Sequence, residues 1–142
     1  MPHTMTRDEI YAFLRDAPRT GHLATVRADG RPHVATIWIA VDGEDIVFTT
    51  GETSVKGENL RRTGYAALTV DDGTPPFSFV ALEGPVTIDE DLDHLRHWAA
   101  VIAGRYMGVQ RAEEFGARNA VAGELLCRLT PVHLNGMSDM TG

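Results

Sequence analysis

Residues 46–70 read IVFTTGETSVKGENLRRTGYAALTV, and the fold turns on how this stretch divides. The opening residues are apolar or β-branched and stop at Gly51, which reads as a strand. Thr53 or Ser54 then caps a helix over residues 54–62, Gly64 ends it, and residues 65–70 resume a strand. Lys56 falls in the first turn of that helix, where the helix dipole disfavours positive charge. A cation there calls for an anionic partner.

Upstream, Thr6-Arg7-Asp8-Glu9 forms a capping box, followed by Ile10, Phe13 and Leu14 at helical spacing, so a first helix is predicted to end near Pro18. Residues 22–27, 33–41 and 45–50 are separated by Asp29-Gly30 and Asp42-Gly43, which predicts three antiparallel strands in a meander. The middle one, VATIWIAV over 34–41, is apolar on both faces, so something must cover its outer side. A second subunit is the expected cover.

Downstream, residues 77–88 read as one long fifth strand, bent at Gly84-Pro85 because proline cannot donate to a ladder. Residues 89–106 are helical, with Leu92, Leu95, Trp98, Ala99, Ile102 and Tyr106 on one apolar stripe that reads as core. Residues 112–119 form a weaker helix, residues 125–134 the last strand, and the polar residues 135–142 a loose tail. About six antiparallel strands with three or four helices predict a mainly β, α+β single domain over 1–142, a Greek-key-like barrel.

A net charge of −7 over 142 residues disfavours generic binding to phosphate backbones, so nucleic acid is not expected as a partner. No apolar run approaches the roughly 20 residues that span a bilayer, and the N-terminus lacks an apolar leader segment, so a soluble, cytoplasmic protein is expected. The single cysteine, Cys127, sits in an apolar run and reads as a buried thiol. His94 and His97 lie three apart on an acidic helix, but no third ligand has a matching spacing; a solvated face is the preferred reading, and no metal is expected. There is no G-x-S-x-G elbow, and Glu83 is more simply an exposed carboxylate than a general acid.

The strand-to-helix passage is the better candidate. Amides at a helix start, hydroxyls of Thr49, Thr50 and Ser54, and the Lys56 charge can together cradle a phosphate. On these residues alone, a capped surface helix with a solvated lysine is about as good a reading.

The stretch IVFTTGETSVKGENLRRTGYAAL resembles the strand, S-x-K-G cofactor segment and next strand of the pyridoxamine 5′-phosphate oxidase-like, split β-barrel flavin-binding superfamily. GHLATVRADGRPHVATIWIAVDG before it and FSFVALEGPVTI after it extend the likeness over roughly residues 20–90, with an echo in CRLTPVHL. The resemblance implies a homodimeric split β-barrel whose cofactor lies at the subunit interface. It implies that Thr49, Thr50, Ser54 and Lys56 hold the cofactor phosphate, and that Thr36, Ile37 and Trp38 lie along the ring.

Members using flavin mononucleotide carry basic residues on the second strand and an arginine between the serine and lysine. Here residues 34–39 are uncharged and Val55 occupies that place. Trp38, the pattern K-x-x-N-L-R-R at Lys56, Asn59, Leu60, Arg61 and Arg62, and the V-x-x-E-G ending at Gly84 look like the deazaflavin-dependent branch. The resemblance therefore implies coenzyme F420, with Asn59 added to the cofactor set, and hydride transfer to an unsaturated or conjugated small organic substrate. An FMN-dependent flavoprotein and a noncatalytic F420/flavin carrier are the alternatives; the catalytic residue is unknown.

Overall fold

The computed structural model describes residues 1–119 and 121–142. Among the described residues there are nine strands and four α-helices. In chain order they are β1 (His3–Thr4), α1 (Arg7–Asp16), β2 (Gly21–Val26), β3 (Pro32–Ile37), β4 (Ala40–Asp42) and β5 (Asp45–Gly51). There follow α2 (Val55–Thr63), β6 (Tyr65–Asp72), β7 (Ser78–Asp89), α3 (Leu92–Met107), α4 (Ala112–Asn119), β8 (Glu124–Leu129) and β9 (His133–Ser138). All pairings are antiparallel and the strand order is β3-β2-β6-β7-β8-β5-β4.

The long β7 joins the two halves of the barrel. Its first part pairs with β6 and β9, and from Val86 it pairs with β8 instead. The change of partner falls at Gly84-Pro85, where the bend was expected. A Cβ on Gly84 would lie 2.0 Å from the Thr130 carbonyl oxygen, so only glycine lets the β8–β9 corner approach.

The capping box at α1 is present, with Thr6 Oγ1 accepting from Glu9 N at 3.2 Å and Glu9 Oε1 accepting from Thr6 N at 2.9 Å. The Thr6 amide, and then the His3 ring, hold the Glu9 carboxyl down at about 2. Its apolar side, Ile10, Phe13 and Leu14, enters the main core beside Leu23, Phe48, Leu68 and Leu129. Strand parity then assigns the other half of β5. Ile46 and Phe48 point into the barrel, whereas Val47 faces outward and packs with Leu126, Leu95 and Trp98 under α3.

Three expectations need correction. The second strand is not continuous: it breaks after Ile37, and β4 resumes at Ala40 to pair with β5. At the break the Ile39 amide donates to the Tyr106 hydroxyl at 3.1 Å while its side chain enters the core. The expected cover for this strand lay outside the chain, and among the described residues its outer face is open: Val34 on β3 is 67% exposed, and Trp38, just past the strand, 44%.

The last strand likewise divides at Thr130–Val132 into β8 and β9. The tail expected to be loose supplies residues 135–138 to β9, which pairs with β7 on one edge and β1 on the other. These two corners and the short β1 raise the strand count above the expected six. No described helix is long and apolar enough to cross a membrane.

Candidate functional site

The same parity that buries Phe48 separates the two threonines after it. Thr50 follows Ile46 and Phe48 inward and is 3% exposed; Thr49 follows Val47 outward and lines a cavity of about 550 Å³ between the β3–β4 corner, the start of α2, and α3. Thr36, Ile37, Trp38 and Lys56 line it from the strand side with Thr49. Ala99 and Ile102, part of the stripe read as core, and Ala103 beside them are buried and still form its helical wall.

Ser54 is the N-cap of α2. Its hydroxyl donates to the Gly51 carbonyl at 2.7 Å and its Oγ accepts from Gly57 N at 3.0 Å. Because that proton is committed to Gly51, the 2.9 Å contact with Thr50 Oγ1 must be donated by the threonine. Both hydroxyls therefore build the turn and neither is free for a ligand. Gly57 completes it: a Cβ there would stand 2.2 Å from the Gly51 carbonyl oxygen.

What the turn leaves open is the helix start itself. The amides of Val55 and Lys56 find no acceptor among the described residues, and no described carboxylate lies within 4.0 Å of Lys56 Nζ. Two amides without an acceptor, the positive end of the α2 dipole and a half-buried ammonium with no partner among the described residues thus occur together at a helix start whose Lys56 lines the cavity. The arrangement fits an anion such as a phosphate ester. Glu124 lies opposite Gly51 on β8, and burial pushes its carboxyl above the usual range, with Lys56 opposing that shift.

Residues 6–134 match the pyridoxamine 5′-phosphate oxidase family. The chain belongs to this family. A relative named F420H(2)-dependent biliverdin reductase, from Mycobacterium tuberculosis (strain CDC 1551 / Oshkosh), is 35% identical over 111 residues, 75% of this chain and 77% of that one. The solved structure of the conserved hypothetical protein Rv2991 from Mycobacterium tuberculosis superposes with a TM-score of 0.79 at 28% identity, covering 92% of this chain and 82% of the other. A structure named F420 reductase superposes at 0.71, again with 28% identity, covering 87% and 94%.

In this oxidase-family chain, Asn59 is not at the cavity. It is 3% exposed, its Nδ2 donates to Thr25 Oγ1 at 3.0 Å, and its Oδ1 accepts from Arg62 at 3.1 Å. Its amide pins α2 onto β2, and both ends are engaged. Five of the eight expected residues thus line the cavity; Thr50, Ser54 and Asn59 hold the frame behind it.

Tyr106 was read only as part of an apolar stripe, yet it positions Trp38. The two rings lie 4.8 Å apart with planes 3° from parallel, an offset stack. The Tyr106 hydroxyl donates to the Arg19 carbonyl at 2.7 Å and accepts from Ile39, so it is fully engaged and fixes the β3–β4 corner. Nothing in the sequence pattern could locate that hydroxyl. Cys127 is buried on the inner side of β8, and burial pushes its thiol up to about 12, which removes it as a nucleophile. His94 bonds Asp89 at 2.6 Å, and His97 packs edge-on against Trp98.

Proposed function

We propose that the protein is an F420-dependent oxidoreductase acting on an unsaturated or conjugated small organic substrate. The observation that carries the reading is the unpaired Lys56 with two free helix-start amides at the edge of an otherwise uncharged cavity. Relatives named for F420 point the same way. Bound F420H2 supplies a hydride from its deazaflavin ring, so the protein's task is to bind, orient and exclude water.

Lys56 and the Val55 and Lys56 amides hold the phosphate. Thr36, Ile37 and Trp38, the last fixed by Tyr106, would hold the ring. Ala99, Ile102 and Ala103 keep that pocket apolar and would exclude water from a bound ring. Tight binding of FMN is disfavoured because Val55 and the uncharged residues 34–39 stand where a more basic grip is expected.

The outer face of β2 and β3, with Val26, Val34 and the exposed side of Trp38, borders the same cavity. We assign it to a second copy of the chain, so that each site lies at a subunit interface. Sedimentation at micromolar concentration tests this, and a monomer would contradict a shared site.

The functional reading is tested by titrating the protein with F420 and with FMN, then following oxidation of F420H2 against enones, quinones and tetrapyrroles. Micromolar or tighter F420 binding with turnover of at least one acceptor is expected. Binding of FMN alone would sink the reading, and F420 binding with no turnover on any acceptor would replace it with a carrier role.

A further inference from the structure

The helical wall carries a feature that cofactor binding leaves unused. Phe115 on α4 lines the cavity, and its ring is flanked by two guanidiniums: Arg111 Cζ stands 4.5 Å from the ring centroid and Arg118 Cζ 5.6 Å. Positions 111, 115 and 118 are spaced four and three apart, so one side of this helical segment presents all three. Both arginines are exposed, and both stand against the ring that lines the cavity.

A guanidinium resting on an aromatic face keeps its N–H donors free, because they lie in its own plane and point past the ring. Neither arginine side chain donates a hydrogen bond to a described residue, and Arg111 has only Glu114 Oε2 at 3.7 Å from its Nε. Arg105 on α3 shows the alternative: its Nη1 and Nη2 reach the carbonyls of Arg15 and Ala17 at 3.2 and 2.7 Å, holding the end of α1. Its donors serve the fold, and those of Arg111 and Arg118 do not. On a chain of net charge −7, two such cations beside one cavity mark a local preference for anions.

We propose that Phe115, Arg111 and Arg118 form the acceptor subsite, with a conjugated ring packing against the edge of Phe115 between the two guanidiniums and a carboxylate held in their forks. The substrate class is then a conjugated carboxylic acid. The inference rests on the cavity being the cofactor and substrate site. A carboxylate also occurs in the glutamyl tail of F420, and the experiment separates the two sources.

The probes are 2-naphthoate and its uncharged methyl ester, titrated into the full chain by naphthyl fluorescence with and without F420. Wild type should bind the acid about tenfold tighter than the ester, the worth of a charge-assisted contact. The double variant Arg111→Gln with Arg118→Gln, both exposed positions, should erase that preference while F420 affinity stays within about twofold. Phe115→Leu, which keeps the packing volume, should weaken acid and ester alike and retain their ratio.

No naphthoate binding at millimolar concentration, or an acid-to-ester ratio that the double variant leaves unchanged, overturns the proposal. So does a double variant that loses affinity for F420 but keeps it for the coenzyme stripped of its glutamates, which assigns the arginines to the tail. Persistent acid preference in a protein that fails to bind F420 would support the subsite and refute the cofactor assignment.

Discussion

Replacing Lys56 with alanine removes a charge that the fold does not use. Its ammonium has no described carboxylate within 4.0 Å, and it stands in the first turn of α2, where a cation costs about 0.3–1 kcal/mol against the dipole. Folding stability should therefore hold or rise slightly, by up to about 3 °C in Tm for a domain of this size. Binding should respond oppositely. A lysine-to-phosphate contact in a half-buried site contributes about 1.5–3 kcal/mol, so Kd for F420 should rise about 10- to 150-fold.

Three controls make the result specific. Lys56→Arg keeps the charge and should recover much of the affinity. Added salt should weaken the wild type more than the alanine variant, because one fewer ion pair is screened. The phosphate-free chromophore of the coenzyme should bind wild type and variant alike. Quenching of deazaflavin fluorescence reads all of these, and thermal unfolding reads stability in parallel. A Kd within twofold of wild type together with a lowered Tm would make Lys56 structural, and equal losses for the coenzyme and its phosphate-free chromophore would move the contact from phosphate to ring.

Gly57→Ala should lower both stability, by about 2 kcal/mol or more in urea unfolding, and F420 affinity, since the new Cβ meets the Gly51 backbone at 2.2 Å. Tyr106→Phe keeps the stack on Trp38 but leaves the Ile39 amide and Arg19 carbonyl without their partner, so unfolding should become easier by about 1–3 kcal/mol. His94 is held above the ordinary imidazole range, chiefly by its hydrogen bond to Asp89 and then by the Asp91 charge. Its charged form stabilises the fold below the unfolded value and the contribution fades as pH rises through the folded one. Tm of the wild type should therefore fall as pH rises above about 6.5, by an increment that His94→Gln lacks.

Local chemistry was legible wherever partners lie close in sequence. The Thr6 capping box, the Ser54 cap, the Gly64 stop and the bend at Gly84-Pro85 each follow from residues within a few positions of one another. The break in the second strand was not legible, because residues 38–39 are as apolar as the strand around them. What ends the ladder there is a hydroxyl 67 positions away, on Tyr106. The β9 strand escaped for a related reason: HLNGMS has little strand propensity of its own, and β7 and β1 on its two edges impose the conformation.

Within the candidate site, sequence named residues that lie together in the fold but could not sort those that line the cavity from those that build the turn behind it. Thr49 and Thr50 are adjacent and chemically identical, and only strand parity sends one to the cavity and the other into the cap of α2. Ser54, Thr50 and Gly57 each obey a rule of helix initiation: a hydroxyl cap, a second hydroxyl feeding it, a glycine where backbone closes on backbone. Lys56 alone breaks one, placing an unpaired cation at the positive end of a dipole. A residue that satisfies its local rule can be accounted for by the fold, whereas one that violates it without compensation within the chain calls for a partner from outside. The three that comply leave two amides without acceptors beside the one that does not, and an anion bound there would offset the cost of that placement.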